Sequence, residues 1–180
     1  RETDEVDDIL DMLGGAPVII KVAKGTHGKG VVLAETKKAA KAVMQAFYVE
    51  GVNFLIQEFI AESAGSDIRA FVVGNQVVAS MKRQSLDDDF RSNLHMGGEG
   101  KAIKLTETEK KMALKAAKAM GLQICGVDMI RSEQGPMVLE VNASPGFRIE
   151  QVTNRDIATK IIEYVEKNAK QRHRKDRIGA

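Results

Sequence analysis

The sequence is poor in cysteine, proline and aromatic residues. Its 180 residues contain one cysteine, three prolines and no tryptophan, and aromatic residues make up only 4% of the total. A single cysteine can form neither a disulfide framework nor a thiolate metal site within the chain, and it favours a reducing, cytoplasmic location. No apolar run approaches the roughly 18 residues of a membrane span, and no signal-peptide pattern opens the chain. These absences predict a soluble protein that is not exported.

Charge of one sign is also lacking, because 27 basic residues face 25 acidic ones and the net charge is +2. This balance argues against a nucleic-acid-binding surface over the whole molecule. Hydrophobic residues make up 43% and charged residues 29%, so a core can form and general disorder is excluded. Acidic residues concentrate at 2–11, and basic residues at 170–177. The basic tail would steer the protein toward an RNA-rich partner, but without interleaved aromatic residues a frayed helix end is favoured.

Apolar spacing and turn residues predict helices interleaved with antiparallel hairpins, an α+β arrangement. Helices are predicted over a short segment ending at Gly14-Gly15, from an N-cap at Thr36 to near Gly51, from a capping box of Thr106 with Glu109 to Gly121, and from Asp156 to Ala169. Strands are predicted over 17–23, 31–33, 53–60, 68–73, 76–82, 127–131 and 137–142. The strand over 53–60 is predicted to be buried, and those over 68–73 and 76–82 to form a hairpin that turns at Gly74-Asn75. Residues 84–101 show no period, and an irregular stretch of that length is more often functional than idle.

The hairpin that turns near residue 134 carries three oxygen-bearing side chains. With the turn centred there, Asp128 lies opposite Glu140, and Asn142 shares their face because strand side chains alternate. Like charges across a sheet are destabilising, and a divalent cation would remove the conflict. Oxygen ligands suit Mg²⁺ or Mn²⁺ carried with nucleotide phosphates better than zinc. The alternative is a solvated sheet face, which lone carboxylates between large apolar neighbours do not resemble.

Lys21 is a lone cation inside an apolar strand, so it needs an anionic partner. Phosphate and a neighbouring carboxylate are equal candidates on the strand evidence alone. The glycine loop that follows favours phosphate, because Gly25, Gly28 and Gly30 let backbone N–H groups approach it closely and Lys29 adds charge. The loop is neither a Walker A loop nor a Rossmann fingerprint, and a tight, flexible turn is the alternative.

The order of these motifs resembles the ATP-grasp superfamily. The strand lysine and the glycine loop are followed by Ile-Gln-Glu-Phe-Ile at 56–60 and by Leu-Glu-Val-Asn-Ala-Ser-Pro-Gly at 139–146. Within the superfamily, Asp-Phe-Arg-Ser-Asn-Leu-His-Met-Gly-Gly at 89–98 and Gly-Val-Asp-Met-Ile-Arg at 126–131 look closest to the RimK family. The resemblance extends from about residue 6 to residue 168.

The resemblance implies a nucleotide site. Lys21 would hold the α- and β-phosphates, and the glycine loop, with Gly28, Lys29 and Gly30, would fold over them. The resemblance further assigns adenine or ribose contacts, and the nucleotide-binding triplet of the family, to the following residues: Glu58, Phe59, Asp67, Arg91, Ser92 and Asn93.

The resemblance also implies two Mg²⁺ or Mn²⁺ ions, with Glu140 bridging them, Asp128 on one and Asn142 on the other. Lys21 and Arg91 would be the catalytic residues, since Arg91 would stabilise an acyl phosphate. Arg69 could instead orient a substrate carboxylate through a bidentate pair. For either arginine the alternative is an ion pair at the surface or between lobes.

The activity that the resemblance implies is ATP-dependent addition of L-glutamate to the C-terminus of a ribosomal protein through an acyl phosphate. The protein would be a cytoplasmic homo-oligomer, a tetramer as in the family, without membrane contact or direct nucleic-acid readout. Three alternatives remain open: a ligase joining an amino acid to a small metabolite or peptide, a nucleotide-binding module without turnover, and an interaction protein that uses its basic tail.

The implied fold is an ATP-grasp fold of two antiparallel lobes with packed helices and the nucleotide between them. The expected parts are a connecting helix (1–14), a small lobe (15–57), a large lobe with the metal site (58–170) and the basic tail (171–180). Because the chain begins at Arg1 and the family has an amino-terminal domain, we expect a piece of a longer protein. After Pro145-Gly146 the chain is one residue shorter than the family pattern, which weakens the carry-over of amino-acid selection but not of ATP binding.

Overall fold

The computed structural model of the chain describes residues 3–24, 30–63, 65–86 and 98–169. The chain divides into two compact units, one formed by 1–67, 83–100 and 130–137, the other by 68–82, 101–129 and 138–180. The lobe boundaries expected from the sequence stay a prediction. No helix within the described stretches is long and apolar enough to cross a membrane.

The first unit contains a three-stranded antiparallel sheet. Its elements in chain order are helix α1 (Thr3–Met12), strand β1 (Val18–Val22), strand β2 (Val31–Ala34), helix α2 (Lys37–Val49), strand β3 (Phe54–Glu58) and a 3₁₀ turn (Ala61–Ser63). The strand order is β2-β1-β3, so β1 is central. Lys21 on β1 therefore pairs with Val31 on one side and with Leu55 on the other.

The core of the first unit joins the two helices to one face of this sheet. Its buried members are Leu10, Val18, Ile20, Ala34, Ala40 and Met44. Helix α2 begins after Thr36, whose Oγ1 accepts a hydrogen bond from the Ala39 backbone N–H at 3.1 Å, which confirms the predicted cap.

The prediction of a buried strand over 53–60 is wrong in its burial. Phe54 and Ile56 pack against the core, but Leu55 between them is 60% exposed. Strand β3 lies at the sheet edge, and the alternation of side chains puts Leu55 on the face opposite this core.

The second unit carries most of a five-stranded sheet with the order β6-β5-β4-β7-β8. The remaining elements are strands β4 (Ser66–Val73), β5 (Gln76–Gln84) and β6 (Glu99–Ala102), helix α3 (Glu107–Ala119), strands β7 (Ile124–Ser132) and β8 (Gly135–Asn142), and helices α4 (Arg148–Thr153) and α5 (Ile157–Asn168). Strands β4 and β7 are antiparallel. The buried cluster on one face of this sheet is Ile68, Ala70, Val72, Leu105, Ala113, Ala117, Cys125, Val127 and Met129.

The predicted hairpin over 68–82 is confirmed, with Gly74 in its turn at φ 58°. The Gly74 N–H donates to the Gln123 carbonyl at 2.7 Å, and a Cβ at this position would lie 2.5 Å from Cε2 of Tyr164. Tyr164 in turn donates its hydroxyl to Oε1 of Gln123 at 3.0 Å. The turn is thus held against α5 at a position that only glycine fits.

The predicted capping box is present at the start of α3, where Thr106 and Glu109 bond reciprocally. Helix α3 packs Ala113 and Ala117 into the core, whereas Met120 at its end is 62% exposed. Strand β6 falls inside the stretch 84–101 that was predicted to be irregular, and residues 87–97 of that stretch lie outside the described residues.

Candidate functional site

Two carboxylates, an amide and a guanidinium meet on β4, β7 and β8. Asp128, only 2% exposed, lies directly opposite Arg69 in the β4–β7 ladder. Arg69 donates Nε to Oδ1 of Asp128 at 2.7 Å and Nη2 to Oδ2 at 2.5 Å. Asn142 donates Nδ2 to Oδ2 of Asp128 at 3.3 Å and to Oε1 of Glu140 at 3.0 Å. The convergence of these three oxygen-bearing side chains, which the hairpin pattern predicted, is confirmed.

Strand alternation explains why this cluster forms. Val127 and Met129 point into the core, so Asp128 between them points to the opposite face. An ionised carboxylate that is almost entirely buried needs a compensating charge. Arg69, whose side chain is 17% exposed, supplies that charge from the neighbouring strand. The sequence left two interpretations of Arg69 open, a bidentate pair with a substrate carboxylate or an ion pair at the surface or between lobes. The structure shows an ion pair with Asp128, and it lies within one sheet.

The loop after β8 packs over β7 beside this cluster. A Cβ on Gly126 would lie 3.0 Å from Cβ of Pro145 and 3.7 Å from Nε of Arg69. Two residues after Pro145, the ring of Phe147 approaches that of Phe71 to 5.9 Å between centroids. Gly126 therefore allows the Pro145 turn to sit close to the Arg69–Asp128 pair.

The donor chemistry of the cluster fits a hard divalent cation. Asp128 and Glu140 offer carboxylate oxygens, and Asn142 offers its amide oxygen once the amide group turns over. In the described part of the chain no three His, Cys, Asp or Glu side chains form a metal centre. Two carboxylates and an amide are too few to complete the coordination shell of a cation. This suits Mg²⁺, because that ion usually keeps several water ligands and is also coordinated by substrate phosphates.

Lys21 lies half-buried at the middle of the three-stranded sheet, as predicted for a strand residue. The glycine loop ends at Gly30, with φ 76°, where the carbonyl accepts from the Val22 N–H at 2.9 Å. A Cβ on Gly30 would overlap Cγ2 of Val22, so glycine is required at this strand start. Gly28 and Lys29 lie outside the described residues.

Asp67, predicted to lie near a ribose, is bound by an arginine that the sequence analysis missed. Arg83 Nε donates to Oδ1 of Asp67 at 2.6 Å, and Nη2 donates to Oδ2. The two residues are 7% and 4% exposed. The available signal was an arginine within the apolar strand β5, two residues after the buried Met81. The predicted ribose contact stays a prediction.

The other predicted nucleotide residues are only partly described. Glu58 ends β3 with an exposed side chain, and Phe59 follows it half-buried. Arg91, Ser92 and Asn93 lie outside the described residues.

Comparison with solved structures defines the class of the protein. The ATP-grasp ligase PsnB, complexed with a phosphomimetic variant of its minimal precursor, Mg and ADP, superimposes with a TM-score of 0.68 at 24% identity, over 94% of this chain and 51% of that one. D-alanine–D-alanine ligase from Bacillus anthracis superimposes with a TM-score of 0.66 at 21% identity, over 89% of this chain and 58% of the other. The chain has an ATP-grasp fold, which confirms the predicted fold class.

Sequence comparison narrows this class to one family. The sequence model of the RimK-like ATP-grasp domain matches residues 1–165, and the chain belongs to this family. A probable alpha-L-glutamate ligase of Coxiella burnetii is 58% identical over 168 residues, which are 93% of this chain and 56% of that protein. A probable alpha-L-glutamate ligase of Vibrio cholerae is 54% identical over 175 residues, 97% of this chain and 58% of that protein. The chain thus spans a little over half the length of these curated relatives.

Proposed function

We propose that this chain is the nucleotide- and metal-binding part of an ATP-dependent ligase that joins L-glutamate to a carboxyl group. The observation that carries the proposal is the meeting of Asp128, Glu140 and Asn142 on one sheet face, in a chain of the RimK-like ATP-grasp family. The curated relatives named probable alpha-L-glutamate ligase support glutamate as the amine substrate.

The chemistry that we propose activates a carboxylate in two steps. An oxygen of the acceptor carboxylate attacks the γ-phosphorus of ATP, the bond to the bridging oxygen breaks, and an acyl phosphate and ADP result. The amino group of glutamate then attacks the acyl carbon, the phosphate departs with the C–O bond electrons, and the amine loses a proton to leave an amide. Divalent cations, when bound, neutralise charge on the phosphoryl oxygens.

Each predicted site residue has a proposed role in binding or charge stabilisation. Asp128, Glu140 and Asn142 would hold up to two Mg²⁺ or Mn²⁺ ions through their oxygens. Lys21 would bind the α- and β-phosphates, because a half-buried ammonium on the sheet is a compact positive charge for them. The remaining proposed nucleotide contacts come from Gly28, Lys29, Gly30, Glu58, Phe59, Asp67, Arg91, Ser92 and Asn93, with Arg91 also next to the acyl phosphate.

The acceptor that we propose is the C-terminal carboxyl group of a ribosomal protein, modified in the cytoplasm by a homo-oligomer of the whole enzyme. The same residues would serve a ligase acting on a small metabolite or peptide, so the acceptor is decided by experiment. The full-length protein, supplied with ATP, glutamate and either ribosomal protein or small acceptors, should form ADP only with its own acceptor.

Calorimetric titration of ADP into this chain, with and without Mg²⁺, tests the nucleotide site. We expect Mg²⁺ to strengthen ADP binding, Glu140→Ala to remove most of that gain, and Lys21→Ala to weaken binding under both conditions. Glu163→Ala is the control, since Glu163 is an exposed carboxylate on α5 that pairs with Lys160 away from the cluster. Binding that ignores Mg²⁺, or that Glu140→Ala leaves intact, would contradict the proposed cation site.

A further inference from the structure

Asp128 already carries a cation, the guanidinium of Arg69. Arg69 engages both carboxylate oxygens, and Asn142 donates a third hydrogen bond to Oδ2. A carboxylate offers about four lone-pair positions, so at least three of them at Asp128 are taken by protein donors. About one lone-pair position of Asp128 is therefore open to a divalent cation unless one of these donors is displaced.

The two kinds of donor differ in how easily they give way. The Asn142 contact is long, at 3.3 Å, and its amide turns about one side-chain bond to present oxygen instead of nitrogen. The Arg69 fork is short on both oxygens, its side chain is mostly buried, and guanidinium does not lose its proton. A bound divalent cation would thus replace Asn142 Nδ2 and remain beside the Arg69 charge.

We propose that Arg69 is a positioning residue that holds the affinity of the Asp128–Glu140–Asn142 cluster for divalent cations low. This inference rests on the proposed function, because it takes that cluster as the cation site. With Arg69 the three charged side chains sum to −1, and without it they sum to −2. The cluster then binds a cation firmly only when nucleotide phosphates add negative charge.

The opposite expectation comes from metal sites in which a neighbouring donor orients a ligand. Loss of such a partner lowers metal affinity about 10- to 100-fold. At Asp128 we expect repulsion to prevail, because a unit charge and a double charge about 5 Å apart disfavour each other by at least about tenfold in water and by several times more free energy at the effective dielectric constant of about 20 near a protein surface. Orientation of Asp128 is also secured by the strand on which it lies, with Val127 and Met129 fully buried on either side.

Binding of Mn²⁺ without nucleotide, followed by the electron paramagnetic resonance signal of the free ion, tests the proposal. Arg69→Met removes the charge and keeps similar length, and we expect it to bind Mn²⁺ about tenfold more tightly than the unchanged chain. Arg69→Lys keeps the charge and should bind like the unchanged chain. Adding Asp128→Asn to Arg69→Met should abolish the gain, which locates the ion.

Arg83→Met is the control, because it breaks another buried arginine–aspartate pair, outside the cluster. It should leave Mn²⁺ affinity unchanged. An Arg69→Met chain that binds Mn²⁺ no more tightly than the unchanged chain would overturn the proposal, as would an equal gain in Arg83→Met.

Three further outcomes are also decisive. If Arg69→Met does not fold alone, Mn²⁺ should restore its circular dichroism spectrum by supplying the missing positive charge, and failure to restore it would overturn the proposal. If the unchanged chain binds Mn²⁺ with ADP but Arg69→Met shows no gain in Mn²⁺ affinity, only the inference about Arg69 is contradicted. If neither chain binds Mn²⁺ even with ADP, the proposed cation site is contradicted as well.

Discussion

Removing one partner of the buried Arg83–Asp67 pair should destabilise the protein more than replacing both partners together. The two side chains are 5% and 8% exposed, and the guanidinium meets the carboxylate in a two-pronged geometry. Arg83→Met removes the guanidinium that engages both carboxylate oxygens of the buried Asp67, and loss of one partner of a buried ion pair costs about 3–5 kcal/mol in free energy of unfolding. Because domains of this size are stable by about 5–15 kcal/mol, this loss is a large share of the total.

The double variant Asp67→Leu with Arg83→Met separates the charge from the packing. Replacing both partners by apolar residues removes the unpaired charge, so we expect a cost below that of Arg83→Met alone, about 1 kcal/mol or less. The control is Lys160→Met, which breaks an exposed pair with Glu163 and should cost about 0.5 kcal/mol at most.

Urea unfolding followed by far-ultraviolet circular dichroism measures these differences, provided that the slope against urea stays the same among variants. The reasoning is refuted if Arg83→Met costs no more than Lys160→Met. It is equally refuted if the double variant costs the sum of the two single variants, because the two charges would then not be coupled.

Two further variants test the packing and electrostatics of single residues. Gly74→Ala should destabilise the chain by more than Gly121→Ala in urea unfolding: both glycines have φ near 60°, but only Gly74 faces a side chain, Tyr164, while a Cβ on Gly121 meets nothing within 4 Å. Equal costs would show that the contact with Tyr164 is not tight. Hydrogen bonds from Lys41 and a second lysine hold the pKa of Asp7 below its usual 3.8, so its stabilising effect is present above that pH and is lost as the pH falls through the lowered value. The melting temperatures of the unchanged chain and Asp7→Asn should differ at pH 7 and converge below about pH 4, and a constant difference would contradict the ion pairs.

Features set by a few neighbouring residues could be predicted from the sequence. The caps at Thr36 and Thr106 depend on a hydroxyl and the N–H groups three residues later, and both are present. The meeting of Asp128 with Glu140 and Asn142 depends on strand alternation within one short hairpin, which is also local.

Features set by register between distant strands could not be predicted. Arg69 and Asp128 are 59 positions apart, and they meet only because β4 lies beside β7 with these residues opposite each other.

Two other features escaped prediction for different reasons. Helix α4 was missed because its six residues carry no side-chain cap, and the exposure of Leu55 follows from the place of β3 at a sheet edge.

These pairings change what a charged residue inside an apolar strand indicates. The sequence predicts a cation ligand at Asp128 from the hairpin pattern, and the family resemblance assigns Asp67 to nucleotide binding, yet each has an arginine of the protein itself on both carboxylate oxygens. The difference lies in the remaining charge, because Asp67 and Arg83 balance each other, whereas Glu140 adds a second carboxylate to the Asp128 pair. Counting the side chains named in these two described clusters, Asp128, Glu140 and Arg69 sum to −1, and Asn142 has an amide that can turn its oxygen toward a cation. This net charge, rather than burial of charge, makes the β7–β8 face the stronger candidate for binding a metal with its nucleotide.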